Sequence, residues 1–162
     1  MNKGWNKIRQ LKGSTLMGIY SKQLDVSLGN KNIVLHLVVP ILKIVSQDSN
    51  EFWYWRLEWF EDEVGDDLLI INEQETPEPL RHTYEPDIAP NQHLVFGSYF
   101  SLENNTIKKV IGYGYEDKDD KSLTTLLFEL EELYLTITAG PIIIGRILDK
   151  KPNNLGKQIF VM

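Results

Sequence analysis

Ile33-Val34-Leu35-His36-Leu37-Val38-Val39-Pro40-Ile41-Leu42-Lys43-Ile44-Val45 is the longest apolar stretch of the chain, and its pattern decides the fold class. Ile33, Leu35, Leu37 and Val39 fall on one face of an extended chain and Val34, His36 and Val38 on the other. Apolarity on both faces is the mark of a strand covered on both sides, so this strand is predicted to be central. His36, between two valines, reads as a hydrogen-bonded core residue. Pro40 has no N–H to give to a ladder, so the strand must bulge or change sheet there before resuming through Ile41 to Val45. The stretch is interrupted by His36, Pro40 and Lys43 and falls short of the about 20 residues that a membrane-spanning helix needs.

On the N-terminal side, Thr15 to Tyr20 and Asp25 to Leu28 read as strands. Gly29-Asn30-Lys31-Asn32, rich in turn formers, predicts a hairpin into Ile33. Trp5, Ile8 and Leu11 have the spacing of a short amphipathic helix within Met1 to Leu11. On the C-terminal side, Gln47 to Asn50 reads as a turn, Phe52 to Phe60 as an aromatic strand, Glu61 to Asp67 as an acidic loop and Leu68 to Ile71 as a strand. From Asn72 to Gln92 the chain is polar, without period, and carries Pro77, Pro79, Pro86 and Pro90; it is expected to be a long loop. Beyond it, strands are expected over Leu94–Leu102, Thr106–Tyr115, Leu123–Leu130, Tyr134–Thr138, Ile142–Leu148 and Gln158–Val161, with a turn at Glu103-Asn104-Asn105. Gly112 and Gly114 are expected to relieve crowding beside a neighbouring strand.

The expected fold is therefore mainly β: an antiparallel sandwich or flattened barrel with little helix, in a single domain over 1–162. Shifting the chain by 91 residues superposes Leu11, Thr15, Leu16 and Ile19 on Leu102, Thr106, Ile107 and Val110. The same shift lays Ile33, Leu35, Leu37 and Val39 on Thr124, Leu126, Phe128 and Leu130, and past a gap Phe52–Leu57 takes the place of Leu133–Ile137. This suggests two similar four-strand meanders, half-repeats 1–71 and 94–162, joined by a loop over 72–93. Each meander has one apolar face and must bury it against the other.

Composition narrows the function. The 162 residues carry 17 basic and 23 acidic side chains, a formal charge of −6, and the basic residues are scattered. A phosphate-binding surface needs a positive stripe, and excess carboxylate is repelled by anionic lipid, so neither nucleic acid nor a membrane is an expected partner. A basic protein is. The sequence has no cysteine, which removes thiolate metal sites and cysteine nucleophiles and suits a reducing cytoplasm. No apolar run of signal-peptide length follows Lys3, Lys7 and Arg9, so a cytoplasmic location is expected.

The candidate binding site lies on the aromatic strand and the acidic loop after it. Alternation puts Trp53, Trp55, Leu57 and Trp59 on one face, expected to be core, and Phe52, Tyr54, Arg56, Glu58 and Phe60 on the other. Tyr54, Arg56 and Glu58, with Glu61, Asp62 and Glu63 at the strand end, combine aromatic and arginine anchors with carboxylates suited to a cationic surface. Asp66 and Asp67 extend the cluster. No catalytic residue is assigned. No metal or cofactor is expected either: the acidic runs lack the Asp-x-Asp-x-Asp-Gly spacing of a calcium loop, and His36, His82 and His93 form no ligand pair at metal spacing.

Two passages of the second half carry a resemblance: Thr106-Ile107-Lys108-Lys109-Val110-Ile111-Gly112-Tyr113-Gly114-Tyr115, and Leu135-Thr136-Ile137-Thr138-Ala139-Gly140-Pro141 with Lys151-Pro152 and Leu155-Gly156. Together they resemble small uncharacterised bacterial β-rich cytosolic proteins, some of them associated with immunity roles beside polymorphic toxins. The resemblance implies no catalytic residue. The expected function is a non-enzymatic cytoplasmic interaction protein, with immunity-type binding of a basic protein as its sharpest form. The alternative is a carboxylate-dependent hydrolase acting on a carbohydrate or small molecule.

Overall fold

The computed structural model describes residues 5–29, 32–78, 80–82 and 95–162. A four-residue helix α1 (Trp5–Ile8) runs into a 3-10 turn (Arg9–Leu11), and the buried Ile8 and Leu11 confirm the amphipathic spacing. Six strands come next: β1 (Thr15–Ser21), β2 (Gln23–Leu28), β3 (Ile33–Val38), β4 (Ile41–Val45), β5 (Phe52–Glu61) and β6 (Asp67–Gln74). Then come β7 (Leu80–His82), β8 (Val95–Glu116), β9 (Lys121–Leu130), β10 (Tyr134–Thr138), β11 (Ile143–Leu148) and β12 (Lys157–Val161).

The strands form one sheet in the order β2-β3-β11-β10-β9-β8-β1-β4-β5-β6, with β7 and β12 added along β8. Pairing is antiparallel except between β7 and β8. The sheet is folded at its longest strand: β8 pairs with β1 through Ser98–Thr106 and with β9 through Ile107–Glu116. A front layer (β1, β4, β5, β6) thus faces a back layer (β2, β3, β9, β10, β11), and β8 belongs to both. Leu16, Leu42, Trp55 and Ile71 from the front meet Leu35, Phe128, Ile137 and Ile147 from the back in one core. The edge strands β2 and β6 do not pair with each other, so the sheet is not closed into a barrel.

The decisive stretch behaves as its proline requires. β3 lies in the back layer between β2 and β11, while β4 lies in the front layer between β1 and β5, so the chain changes layer at Val39-Pro40. Val39 has φ 49°, an unusual conformation for a β-branched residue, held by the turn between layers. The chain makes the opposite change between β1 and β2. Ser21, fully buried, joins the two crossings: its hydroxyl accepts the Val38 N–H at 2.9 Å and donates to the Gln23 carbonyl, while Lys22 N–H bonds Val38 O at 2.9 Å. Leu35 and Leu37 are fully buried, but His36 is only half-buried, on the other face opposite Asp25 and Ile144. It is therefore not the core residue its valine neighbours suggested.

Each half contributes four strands in meander order, β1-β4-β5-β6 and β8-β9-β10-β11, and the two sets meet along β1 and β8. In this order β4, not β3, holds the place in the first set that β9 holds in the second, and the β2–β3 hairpin extends the far edge of the back layer. Two other expectations change. Glu103-Asn104-Asn105 is not a turn, since β8 runs straight through it with a register shift opposite Leu16/Gly18. The expected loop over 72–92 contains the end of β6 and the short β7, and its part over 83–92 lies outside the described residues. Gly112 and Gly114 do relieve crowding: a Cβ would run into the Phe160 ring at the first and the Ser122 carbonyl oxygen at the second.

Leu35→Ala is expected to lower unfolding stability by about 2–5 kcal/mol, the range for truncating a fully buried leucine. A denaturant titration showing a loss below about 1 kcal/mol would remove β3 from the core.

Candidate functional site

The two faces of β5 divide as the alternation predicts, but the outer face is not the open surface expected. Trp55 and Leu57 are buried in the main core, and Trp59 packs against it. On the outer face Tyr54 is only 8% exposed, because Leu80 from β7 lies over it together with Ile41 and Tyr20 in a second small core. The Tyr20 ring stands 6.4 Å from that of Tyr54 and 4.5 Å from that of Tyr99. Tyr54 is therefore a packing residue, and its ring is not available as a hot-spot anchor.

Its neighbours on that face are paired among themselves. Arg56 Nε lies 3.1 Å from Glu58 Oε1, Asn72 Nδ2 donates to Glu58 Oε2 at 3.2 Å, and Lys43 Nζ sits 4.5 Å from the centroid of the exposed Phe52 ring. A partner reaching Arg56 or Glu58 would first have to compete with this half-exposed pair, so neither is a free handle.

The rest of the expected site gathers at the β5–β6 hairpin tip. Asp62 organises it: one carboxylate oxygen accepts the N–H groups of Val64 at 3.0 Å and Asp66 at 2.8 Å, and Asp62 N–H bonds Asp66 O at 3.0 Å. Gly65, at φ 90°, supplies the left-handed step that the turn needs. Asp62 is thus engaged in holding the loop. Asp67 Oδ1 accepts the indole N–H of Trp59 at 2.7 Å. Glu61 and Glu63 are exposed, as is Val64 at 81%. Of the six predicted residues, Glu61 and Glu63 remain available, with Asp66 and Asp67 beside them.

A second feature lies at the opposite end of the same hairpin. There the ends of the front-layer strands and the 3-10 turn leave a cleft of about 360 Å³. Trp53, Trp55 and Glu73 are among the residues that line it, with Glu73 directly across the β5–β6 ladder from Trp55. The β4–β5 turn contributes Ser46, Asp48, Ser49 and Glu51, and the 3-10 turn contributes Gln10. The Trp55 side chain is almost completely buried, yet its Nε1 has no hydrogen-bond acceptor among the described residues. The sequence reading missed this cleft because Trp53 reads as core, Asp48 as turn and Glu73 as loop; the visible signal was Glu51 two residues before Trp53.

Among the described residues, no group of three or more histidine, aspartate or glutamate side chains is placed to hold a metal ion. The His82 side chain and His93 lie outside what is described.

Burial pushes the hydroxyls of Tyr20, Tyr54 and Tyr99 above the ordinary tyrosine value, and the mutual proximity of their charged forms adds to the rise at Tyr20 and Tyr99. A raised folded-state value means that the folded protein holds these protons longer than the unfolded chain. Their contribution to stability is present below pH about 10 and is lost as pH climbs through the folded values. An alkaline phenolate titration should show a late-ionising fraction that shrinks in Tyr20→Phe/Tyr99→Phe, and denaturant stability should fall over the same window. An unchanged late fraction in that variant would show that the cluster does not hold its protons.

In comparisons with known proteins, no family model, no curated protein and no solved structure matches this chain.

Proposed function

We propose that this is a non-enzymatic interaction protein that holds a basic protein partner on the tip of its β5–β6 hairpin, with immunity-type neutralisation of that partner as its sharpest form. The supporting observation is the pairing of Glu61 with Asp67 directly across the hairpin ladder. Like charges in this relation destabilise a hairpin, and neither carboxylate has an ion pair among the described residues. A cationic surface docked on the tip would turn that cost into attraction. Asp62 has already fixed the loop, so little conformational freedom would be lost on binding. Val64, exposed between Glu61, Glu63 and Asp66, offers an apolar contact at the centre of the acidic rim.

The alternative of carboxylate-dependent hydrolysis fits this cluster poorly. Such chemistry needs two acids facing each other across an enclosed bond, at about 5–10 Å, one of them kept protonated. The acids here stand exposed on a hairpin tip and enclose no substrate. Among the described residues no helix is long and apolar enough to cross a membrane. A reducing, cytoplasmic setting suits the cysteine-free sequence.

The test is affinity capture from the source cell followed by binding kinetics at two salt concentrations. Neutralising the rim with Glu61→Gln, Glu63→Gln and Asp66→Asn should lower the on-rate several-fold and flatten its salt dependence. Val64→Ser should act mainly on the off-rate. A recovered partner indifferent to both variants would end this reading.

A further inference from the structure

The back layer ends at β2, and that edge carries none of the devices that keep free strands from pairing. Among the described residues no strand pairs with its outer side, its register against β3 is unbroken from Gln23 to Leu28, and the strand contains no lysine, proline or bulge. Its one charge is Asp25. Leu24, Val26 and Leu28 stand across from Leu37, Leu35 and Ile33, so they lie on the core-facing side of the sheet. Leu24 packs against the core, but farther along the same face is uncovered: Val26 is 48% and Leu28 82% exposed. The backbone is equally open. Gly29 N–H bonds Asn32 O at 2.8 Å, which makes theirs a hydrogen-bonded pair, and alternation then turns the backbone groups of Ser27, Asp25 and Gln23 toward β3. Those of Leu24, Val26 and Leu28 therefore point outward from the sheet, with no partner among the described residues.

A row of free donors and acceptors beside an uncovered apolar row fits another extended strand of the same alternation, and the sequence of β2 is its own complement. Two copies paired antiparallel about a two-fold axis normal to the sheet keep paired side chains on one face, so the axis must pass through a single residue position. Centred on Asp25, the pairing sets two like charges against each other and brings Leu28 opposite Lys22 of the second copy. A centre nearer either end of β2 shortens the overlap and leaves one or more of the three apolar side chains unmatched. Centred on Val26, the pairing avoids both faults. Val26 then meets Val26 of the second copy, Leu24 meets Leu28, and the Asp25 carboxylate faces a Ser27 hydroxyl that can donate to it. The outward backbone groups of Leu24, Val26 and Leu28 find their partners in that same register. We propose that this chain forms a two-fold dimer by adding β2 to β2 across Val26, so that the two back layers become one continuous sheet. One strand pair is a small interface, and the dimer is of the weak, reversible kind. It leaves the β5–β6 hairpin tip untouched and does not depend on what that tip holds.

The test uses the intact chain, with sedimentation velocity at micromolar to millimolar loading as the first readout; reversible dimerisation is expected. Val26→Lys sets a lysine against its own copy at the axis and should weaken the dimer about tenfold. Ser27→Asp places an aspartate opposite Asp25 on both sides of the axis and should weaken it several-fold, whereas Ser27→Lys should tighten it several-fold. Val26 and Ser27 are exposed, so these variants should keep the fold, which circular dichroism checks. The chain has no cysteine, so single-cysteine variants read the register directly. On mild oxidation Val26→Cys should link to its own copy, and Leu28→Cys, about 14 Å from its counterpart in this register, should not. The proposal is overturned by a chain that stays monomeric throughout, by a dimer indifferent to charge at Val26 and Ser27, or by a Leu28→Cys link as ready as the one at Val26. A Val26→Cys chain that in cell extract links only to a different protein would assign the edge to that protein and overturn it as well.

Discussion

The architecture depends on one buried hydroxyl at the place where the chain twice changes layer. Without the crossings at Ser21-Lys22 and Val39-Pro40, β1 to β4 would continue as a simple meander, and the apolar face of β3 would have no back layer to join. Pro40 forces the second crossing by withholding a donor, and Val39 accepts a left-handed conformation to make it. Neither residue says where the first crossing must lie. Ser21 does, because its hydroxyl reaches the Val38 N–H and so sets the two crossings side by side. A buried hydroxyl in such a place must be satisfied or it becomes a liability, and here backbone groups of both crossings satisfy it.

The same arrangement explains why the candidate site and the cleft sit at the ends of the β5–β6 hairpin and not along it. The inner face of β5 is committed to the core through Trp55 and Leu57. Half of its outer face is covered by Leu80, and the remainder is occupied by the Arg56–Glu58–Asn72 network. Only the two ends are left. The tip is convex, charged and preorganised, which suits contact with a surface. The other end is a cleft lined by Trp53, Trp55 and polar side chains of the β4–β5 turn.

The sequence was most informative where one residue excluded alternatives. Pro40 announced the change of layer and alternation sorted the faces of β5 correctly, whereas the two-sided apolarity of Ile33–Val38 overstated β3, which lies beside the edge strand β2 and buries only Leu35 and Leu37 fully. It was least informative where a decision depended on what covers a face. Tyr54 looks like an outward aromatic because period two names a face, whereas its burial comes from Leu80, which sits in a proline-bearing stretch that reads as loop. The half-repeat met a related limit. Apolar residues at every second position match equally well in several alignments, so β3 and β4 could not be told apart as the counterpart of β9. The cleft was hidden because its residues come from a turn, two strand ends and a helical turn, and no local pattern links them.

Because β8 belongs to both layers, the molecule also has a characteristic order of assembly. The hairpins β2–β3, β4–β5–β6 and β9–β10–β11 join residues close in sequence, and each can form early. The seam between the halves cannot, since Thr15 must find Thr106 and Ser21 must find Ser98. Closing so long a loop costs entropy before any of the seam's contacts repay it, which places the chain among domains that fold in about milliseconds to seconds. Until that seam closes, β1 and β8 each keep an unpaired ladder edge open to solvent. The interval before β1 and β8 meet is therefore the time at which this protein is most exposed to pairing with another copy of itself.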